Sequence, residues 1–200
     1  FGYLKPLSDF RDMVSFKERP RGTPQPMDEC ILGLDVGSTT TKGVIMRRSD
    51  KSILAADYLR TDGDPVGASR KVYKSLAYQV DVPLQIQGLG VTGSGRQIAG
   101  LHALTEGVIN EIIAHAAAAV HFDSEVDTIF EIGGQDAKYT YITNGVPSDY
   151  AMNEACSAGT GSFLEESAKE SLGLKVTDIG KVAYTAVKPP NFNDQCAAFI

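Results

Sequence analysis

Two stretches of this chain share one pattern, in which an apolar strand runs into a glycine turn and further strands follow. The first stretch is ILGLDVGSTTTKGVIMRR over residues 31–48, and the second is DTIFEIGGQDAKYTYIT over residues 127–143. A short apolar run that ends at glycine is typical of a buried strand leading into a tight turn. A third strand and then a helix follow each stretch. The repetition therefore predicts an α/β chain with two similar halves, each beginning with an antiparallel strand meander.

Helical spacing and terminal residues locate the other main elements. Asp64 is a fair N-cap, and Gly173 suits the position just after a helix end. The Ala-rich helix around residue 114 is apolar almost all round, which predicts that it is buried. The predicted helices span Pro65–Val80, Val108–Val120 and Gly161–Gly173, and a central strand is predicted over Gln85–Gly93.

This order of elements gives the expected domain organisation. Residues 1–29 are rich in Pro, Arg and Asp and are predicted to be a linker. A first domain is expected over 30–124 and a second over 125–200. Because the chain starts at Phe1 and stops in the apolar run CAAFI, it is expected to be a fragment whose second domain is incomplete.

Charge and hydropathy exclude two classes of partner. The net charge of −6 argues against nucleic acid as the main partner. No run of about 18 apolar residues is present in the sequence, so no membrane span is expected. An acidic chain can still bind a nucleotide, because backbone N–H groups and one metal ion supply the local positive potential.

The first glycine turn, DVGSTTTK, carries groups that suit a phosphate. A tight turn between strands aims successive backbone N–H groups at one point, where phosphate oxygens accept several hydrogen bonds. Asp35 at the strand end can hold Mg²⁺ through water, and Lys42 adds one compact positive charge. The candidate phosphate ligands in this turn are Gly37, Ser38, Thr39, Thr40 and Lys42.

The second turn, EIGGQDAK, repeats this design. Gly133 and Gly134 leave the loop backbone uncovered, so they are candidate phosphate ligands. Gln135 or Asp136 can orient or deprotonate an attacking water, and the residues alone do not decide between them. One such loop is a weak signal, but two of them about one domain apart predict ATP binding. The sequence has no GxxxxGK[ST] motif and no GxGxxG opening a helix after the first strand, which argues against P-loop and dinucleotide sites.

Five segments form a set that is specific when taken together: DVGSTTTK, VTGSGR (Val91–Arg96), NEIIAHAAA (Asn110–Ala118), EIGGQDAK and NEACSAGTGSFLE (Asn153–Glu165). The set resembles the ATP-dependent activators of 2-hydroxyacyl-CoA dehydratases and the related ATPase subunits of benzoyl-CoA reductase. The resemblance runs from about residue 31 to residue 196. It implies the actin-like ATPase (ribonuclease H-like) fold of the sugar-kinase superfamily, with ATP bound in the cleft between two similar domains.

The resemblance also implies a role for two of the three cysteines. Cys156 and Cys196 match the positions at which the family binds a single 4Fe-4S cluster, whereas Cys30 matches no ligand and is expected to be structural. A 4Fe-4S cluster takes four thiolates, so two chains are needed. The expected assembly is a homodimer with the cluster on its axis.

The activity implied by the resemblance is that of a cytoplasmic ATPase of anaerobic metabolism, coupled to electron transfer. A donor such as ferredoxin or flavodoxin would supply the electron, which would pass to a 2-hydroxyacyl-CoA dehydratase or a benzoyl-CoA reductase-like component. Two alternatives stay open. One is a small-molecule kinase of the same superfamily, although no motif indicates its substrate pocket. The other is a non-catalytic, nucleotide-regulated module of a larger protein.

Further residues are expected near the nucleotide. Glu111 is predicted in the middle of an apolar helix, either facing the cleft or paired on the surface with His115 one turn on. Arg96 is either a phosphate or partner contact or a surface charge. The second loop begins with Glu131 where the superfamily usually has Asp, and the adenine-binding segment of the second domain is expected to be missing from these 200 residues. Three residues at the start of the last predicted helix suit an anion or merely cap the helix: Gly159, Thr160 and Gly161.

Overall fold

The structure is a computed structural model that describes residues 2–15, 19–153 and 158–191. These residues form two compact units. The larger unit contains Pro20–Phe130 and Lys138–Ala151, and the smaller unit contains the described residues of Phe1–Arg19, Glu131–Ala137 and Met152–Ile200. The linker over 1–29 and the domains over 30–124 and 125–200 stay predictions.

The larger unit is built on a four-stranded sheet. Its strands are β1 (Glu29–Val36), β2 (Thr40–Arg47), β3 (Ile53–Arg60) and β4 (Gln85–Thr92), in the order β3-β2-β1-β4. The first three strands pair antiparallel in sequence, which confirms the predicted meander, and β4 runs parallel to β1. The prediction of a central strand here is wrong, because β4 lies at an edge of the sheet. Its first three residues are exposed, whereas the sequence pattern alone did not distinguish an edge from a centre.

The first helix, α1 (Pro65–Tyr78), completes the core of this sheet. Its start is the predicted one, since the Asp64 carboxylate accepts a hydrogen bond from the Gly67 N–H at 2.8 Å. Val72 and Leu76, one turn apart, are fully buried in the core cluster. Burial of each side chain contributes about 1.5–3 kcal/mol, which fixes the helix on the sheet that carries the candidate phosphate turn.

Cys30 belongs to the same core. Its side chain is fully buried in β1 and its thiol is free. Burial raises the pKa of the Cys30 thiol, and the nearby Asp28 carboxylate raises that pKa further. A thiol that resists ionisation is a poor metal ligand and a poor nucleophile. The expectation that Cys30 is structural is therefore confirmed.

Two further helices follow β4, namely α2 (Arg96–Ala103), which was not predicted, and α3 (Glu111–Phe122). The prediction that α3 begins at Val108 is wrong, because the backbone there is still extended and Asn110 caps the helix by accepting from the Ile112 N–H at 2.8 Å. The prediction that α3 is a buried helix is also wrong, since Ala116 is its one buried residue in the described part of the chain and Ile113 is 50% exposed. Alanine is abundant in helices because of its intrinsic propensity as well as its burial, so an Ala-rich run does not fix which face is covered.

The second half of the chain contains the second predicted set of elements. A three-stranded sheet has the order β5-β6-β7, with β5 (Thr128–Ile132), β6 (Ala137–Thr143) and β7 (Val146–Met152). The helix α4 (Gly161–Leu172) ends as predicted at Gly173, which has a left-handed backbone (φ 64°). A 3-10 helix over Leu7–Met13 and α5 (Val176–Ala183) were not predicted. Across the described residues, no helix has the length and apolar character that a membrane span requires.

Candidate nucleotide site

The first glycine turn joins β1 to β2 in the larger unit. The Gly37 N–H donates to the Thr40 carbonyl at 2.9 Å and closes the turn. A Cβ at Gly37 would lie only 2.9 Å from the same carbonyl oxygen, so glycine is required by the close approach of the backbone. Within the described part of the chain, the N–H groups of Ser38 and Thr39 donate to no protein acceptor. The turn thus presents two adjacent backbone donors of the kind that binds an anion.

Thr61, the residue after β3, holds this turn in place through two hydrogen bonds to its backbone carbonyls. The Thr61 N–H donates to the Thr39 carbonyl at 3.0 Å, and the Thr61 hydroxyl donates to the Gly37 carbonyl at 2.7 Å. The buried Thr41 hydroxyl lies 2.9 Å from the Thr61 hydroxyl and completes the network. Sequence reasoning missed Thr61, because nothing near it in the sequence forms a motif.

The two charged residues of the turn lie side by side. Asp35 and Lys42 are directly opposite in the antiparallel pair of β1 and β2. The Lys42 Nζ is 3.0 Å from Asp35 Oδ2, and the two side chains are 45% and 26% exposed. The ammonium also lies 5.6 Å from the centre of the Tyr58 ring. The structure therefore brings together the predicted metal anchor and the predicted phosphate-binding charge at one strand end.

The VTGSGR segment packs against this strand end. Gly93 has a φ of +91°, and a Cβ there would collide with Asp35 Oδ1 and lie 2.5 Å from the Val36 carbonyl oxygen. The Gly95 N–H donates to the Val36 carbonyl at 2.7 Å, and Arg96 donates to the Gly93 carbonyl at 3.0 Å. Gly93 was not among the predicted site residues, although its place after β4 in a Gly-rich loop is a usable signal.

Glu111 lies between two cations of the larger unit. Its Oε2 lies 3.4 Å from the Arg96 Nη1, and its Oε1 lies 3.3 Å from the Lys138 Nζ. Lys138 is only 7% exposed. The prediction that Glu111 sits in the middle of a helix is wrong, because it is the first residue of α3. Its pairing with His115 stays a prediction. Sequence reasoning assigned no role to Lys138, since the ion pairs depend on residues far apart in the chain.

The second glycine turn, in the smaller unit, contacts the start of α4. The Gly133 N–H donates to the Asp136 carbonyl at 2.8 Å and closes the turn. From the start of α4, the Gly161 N–H donates to the Gly133 carbonyl at 2.9 Å, and the Ser162 N–H donates to the Gly134 carbonyl at 2.8 Å. The structure thus brings together three of the predicted phosphate ligands. Gly159 has a left-handed φ of +78°, and Thr160 is buried. Contacts of Gln135, Asp136 and these residues with a nucleotide stay predictions.

The predicted cluster ligands Cys156 and Cys196 lie outside the described residues. Their role as 4Fe-4S ligands therefore stays a prediction. Among the residues that the structure describes, no group of three or more His, Cys, Asp or Glu side chains is arranged to hold a metal ion.

Comparison with known proteins identifies relatives along most of the chain. The sequence profile of the BadF/BadG/BcrA/BcrD ATPase family matches residues 32–200. The (R)-2-hydroxyglutaryl-CoA dehydratase activating ATPase of Acidaminococcus fermentans is 30% identical over 168 residues, which cover 84% of this chain and 63% of that protein. The activator of lactoyl-CoA dehydratase of Anaerotignum propionicum is 34% identical over 169 residues, which cover 84% of this chain and 63% of that protein.

A solved structure has the same fold. The activator of the 2-hydroxyisocaproyl-CoA dehydratase from Clostridium difficile, with bound ADPNP, is 30% identical with a TM-score of 0.73, and the match covers 85% of this chain and 62% of that one. The predicted actin-like ATPase fold is thereby confirmed. The chain spans less than two-thirds of the length of these relatives. These matches confirm the family that the five motifs indicate: the chain belongs to the BadF/BadG/BcrA/BcrD ATPase family.

Proposed function

We propose that the intact protein is an ATP-hydrolysing activator that delivers an electron to a CoA-ester dehydratase or reductase. The observation that carries the proposal is the first glycine turn, where two backbone N–H groups that have no acceptor in the described part of the chain lie beside the Asp35–Lys42 pair. The names of the relatives support the activator role and the use of ATP, since two of them are activators of CoA-ester dehydratases and a related structure holds an ATP analogue.

The larger unit would hold the phosphate end of ATP. The Asp35 carboxylate is partly exposed and paired with Lys42, and Gly93 approaches it closely, which fits a hard cation such as Mg²⁺ bound through water. Lys42 would turn from Asp35 towards the phosphate, where it supplies a single positive charge. The remaining phosphate ligands proposed in this turn are Gly37, Ser38, Thr39 and Thr40.

The second glycine turn is proposed as a further phosphate-binding loop. Gly133 and Gly134 are proposed to bind phosphate through the backbone, and Gln135 or Asp136 is proposed to orient the attacking water. The hydrogen bonds between the start of α4 and this loop support a phosphate-binding role for the loop, because they place a helix N-terminus beside Gly133 and Gly134. Gly159, Thr160 and Gly161 are proposed as further contacts.

Cys156 and Cys196 are proposed to hold a 4Fe-4S cluster together with the same residues of a second chain. Such a cluster supplies one electron at low potential. The proposed setting is the cytoplasm, with a reductant such as ferredoxin or flavodoxin and a 2-hydroxyacyl-CoA dehydratase or benzoyl-CoA reductase-like partner. ATP binding would favour one conformation of the activator, since a ligand shifts an equilibrium only through its different affinity for two states.

The metal content of the intact protein tests this function. Anaerobically purified protein is expected to contain about two iron and two sulfide per chain, because two chains would share one 4Fe-4S cluster. Cys156→Ala should lose both, measured by iron and sulfide analysis and by the visible absorbance.

The matched control is Cys30→Ala, which removes a thiol that is buried in the core and should keep the iron. Wild-type protein without iron and sulfide would contradict the electron-transfer function. If such protein released ADP only on addition of a small hydroxyl or carboxyl substrate, the kinase alternative would replace it.

A further inference from the structure

A row of four side chains crosses the sheet of the larger unit at the candidate phosphate turn. Asp35 in β1 is opposite Lys42 in β2, Lys42 is opposite Tyr58 in β3, and Asp35 is beside Thr92 in β4. Residues at one register position in neighbouring strands project from the same face of a sheet. Thr92 therefore shares a face with the proposed metal anchor and its ion partner.

The hydroxyl of Thr92 is the unusual member of this row. Its Oγ1 is buried, yet within the described residues it has no hydrogen-bond partner. Burying an unpaired hydroxyl costs free energy, and the large majority of buried side-chain polar atoms are paired. Valine has nearly the same shape and would avoid this cost, so the packing of β4 alone does not explain a threonine here.

Asp35 offers an acceptor beside this hydroxyl. Its Oδ2 pairs with the Lys42 Nζ at 3.0 Å. Its Oδ1 lies against Gly93, the residue that follows Thr92, since a Cβ on that glycine would collide with it. An ionised carboxylate can accept about four hydrogen bonds. The Asp35 carboxylate therefore retains acceptor capacity on the side of the β4 end.

We infer that Thr92 is a positioning residue for Asp35. In the nucleotide-bound site, the Thr92 Oγ1–H donates to the Asp35 carboxylate and fixes its orientation after Lys42 has turned to the phosphate. A hydroxyl needs only a rotation about single bonds to make this contact, so the backbone of β4 stays in place. The inference rests on the proposed function, because it requires Asp35 to anchor the metal ion of ATP.

Two substitutions in the intact protein test this role. Thr92→Val is expected to unfold, without nucleotide, at the same temperature as wild type or a higher one, because it removes a buried hydroxyl that has no partner among residues 2–15, 19–153 and 158–191. The same variant should need about tenfold more Mg²⁺ for half-maximal ATP hydrolysis, since a hydrogen bond to a charged group is lost. Thr92→Ser keeps the hydroxyl and should restore the wild-type Mg²⁺ dependence.

Three results would overturn the inference about Thr92. The first is a wild-type Mg²⁺ dependence of ATP hydrolysis in Thr92→Val. The second is a Mg²⁺ requirement in Thr92→Ser that is raised as much as in Thr92→Val. The third is a lowered unfolding temperature in Thr92→Val that accounts for its loss of activity. Asp35→Asn measured in parallel separates the two claims. If Asp35→Asn loses hydrolysis while Thr92→Val behaves as wild type, only the inference fails; if Asp35→Asn hydrolyses ATP normally, the proposed phosphate site fails with it.

Discussion

Replacing Asp35 by Asn is expected to lower the rate of ATP hydrolysis by the intact protein by at least about 100-fold. The substitution keeps the shape of the side chain but removes the charge proposed to hold Mg²⁺. A metal ion stabilises the charge of a phosphoryl-transfer transition state by several kcal/mol, and each 1.36 kcal/mol is about a factor of ten in rate. Steady-state release of phosphate at saturating ATP measures the effect. The iron and sulfide content should stay unchanged, since Cys156 and Cys196 are left intact.

Asp57→Asn is the matched control for this experiment. Asp57 lies in the same sheet, next to Tyr58 in β3, so its side chain projects from the face opposite to Asp35. Its carboxylate accepts a hydrogen bond from the N–H of Tyr58 at 2.7 Å. We expect turnover close to that of the wild type. Equal losses in both variants would mean that Asp35 acts through the general charge of the sheet and not as a metal anchor.

Replacing Gly93 by Ala is expected to destabilise the larger unit by about 2–6 kcal/mol and to weaken nucleotide binding at the same time. The residue has a φ of +91°, which L side chains rarely adopt, and such strain costs about 1–3 kcal/mol. The added Cβ would also collide with Asp35 Oδ1 and approach the Val36 carbonyl oxygen to 2.5 Å. Overpacking of this kind typically costs about another 1–3 kcal/mol. Chemical unfolding and titration with an ATP analogue measure the two effects.

Gly63→Ala separates the collision from the backbone strain. Gly63 has a φ of +72°, and a Cβ there would meet no atom within 4 Å. This control should show only the loss of stability that comes from strain, with nucleotide affinity unchanged. If Gly93→Ala lost no more stability than Gly63→Ala and bound nucleotide normally, the packing of Gly93 against Asp35 would have no role in the site.

The strand–turn–strand units could be predicted from sequence because their signals are local. Apolar runs that end at glycine located the turn at Gly37 and the turn at Gly133, and Asp64 and Gly173 marked helix ends through contacts with near neighbours. Backbone hydrogen bonding within a few residues decides such features. The local part of the candidate site is therefore predictable from sequence alone.

The supporting residues could not be predicted because their contacts join distant segments. Thr61 fixes the first turn across 24 positions of the chain, and Lys138 reaches Glu111 through an ion pair between β6 and the start of α3. The edge position of β4 also depends on the pairing of strands that are distant in sequence, and a single apolar run does not indicate that pairing. The predicted start of α3 was wrong because the side-chain cap at Asn110 decides where the helix begins, and the apolar run around Asn110 does not indicate that cap.

Amide hydrogen exchange at the first turn tests the central claim most directly. The N–H groups of Ser38 and Thr39 have no protein acceptor among the described residues, whereas the Gly37 N–H is already bonded to the Thr40 carbonyl. On addition of Mg²⁺ and a non-hydrolysable ATP analogue to the intact protein, exchange at Ser38 and Thr39 should slow by at least about tenfold, since a phosphate would accept both donors. Calorimetry on the same sample establishes that the analogue is bound. Bound analogue with unchanged exchange at Ser38 and Thr39 would contradict the assignment of this turn as the phosphate site.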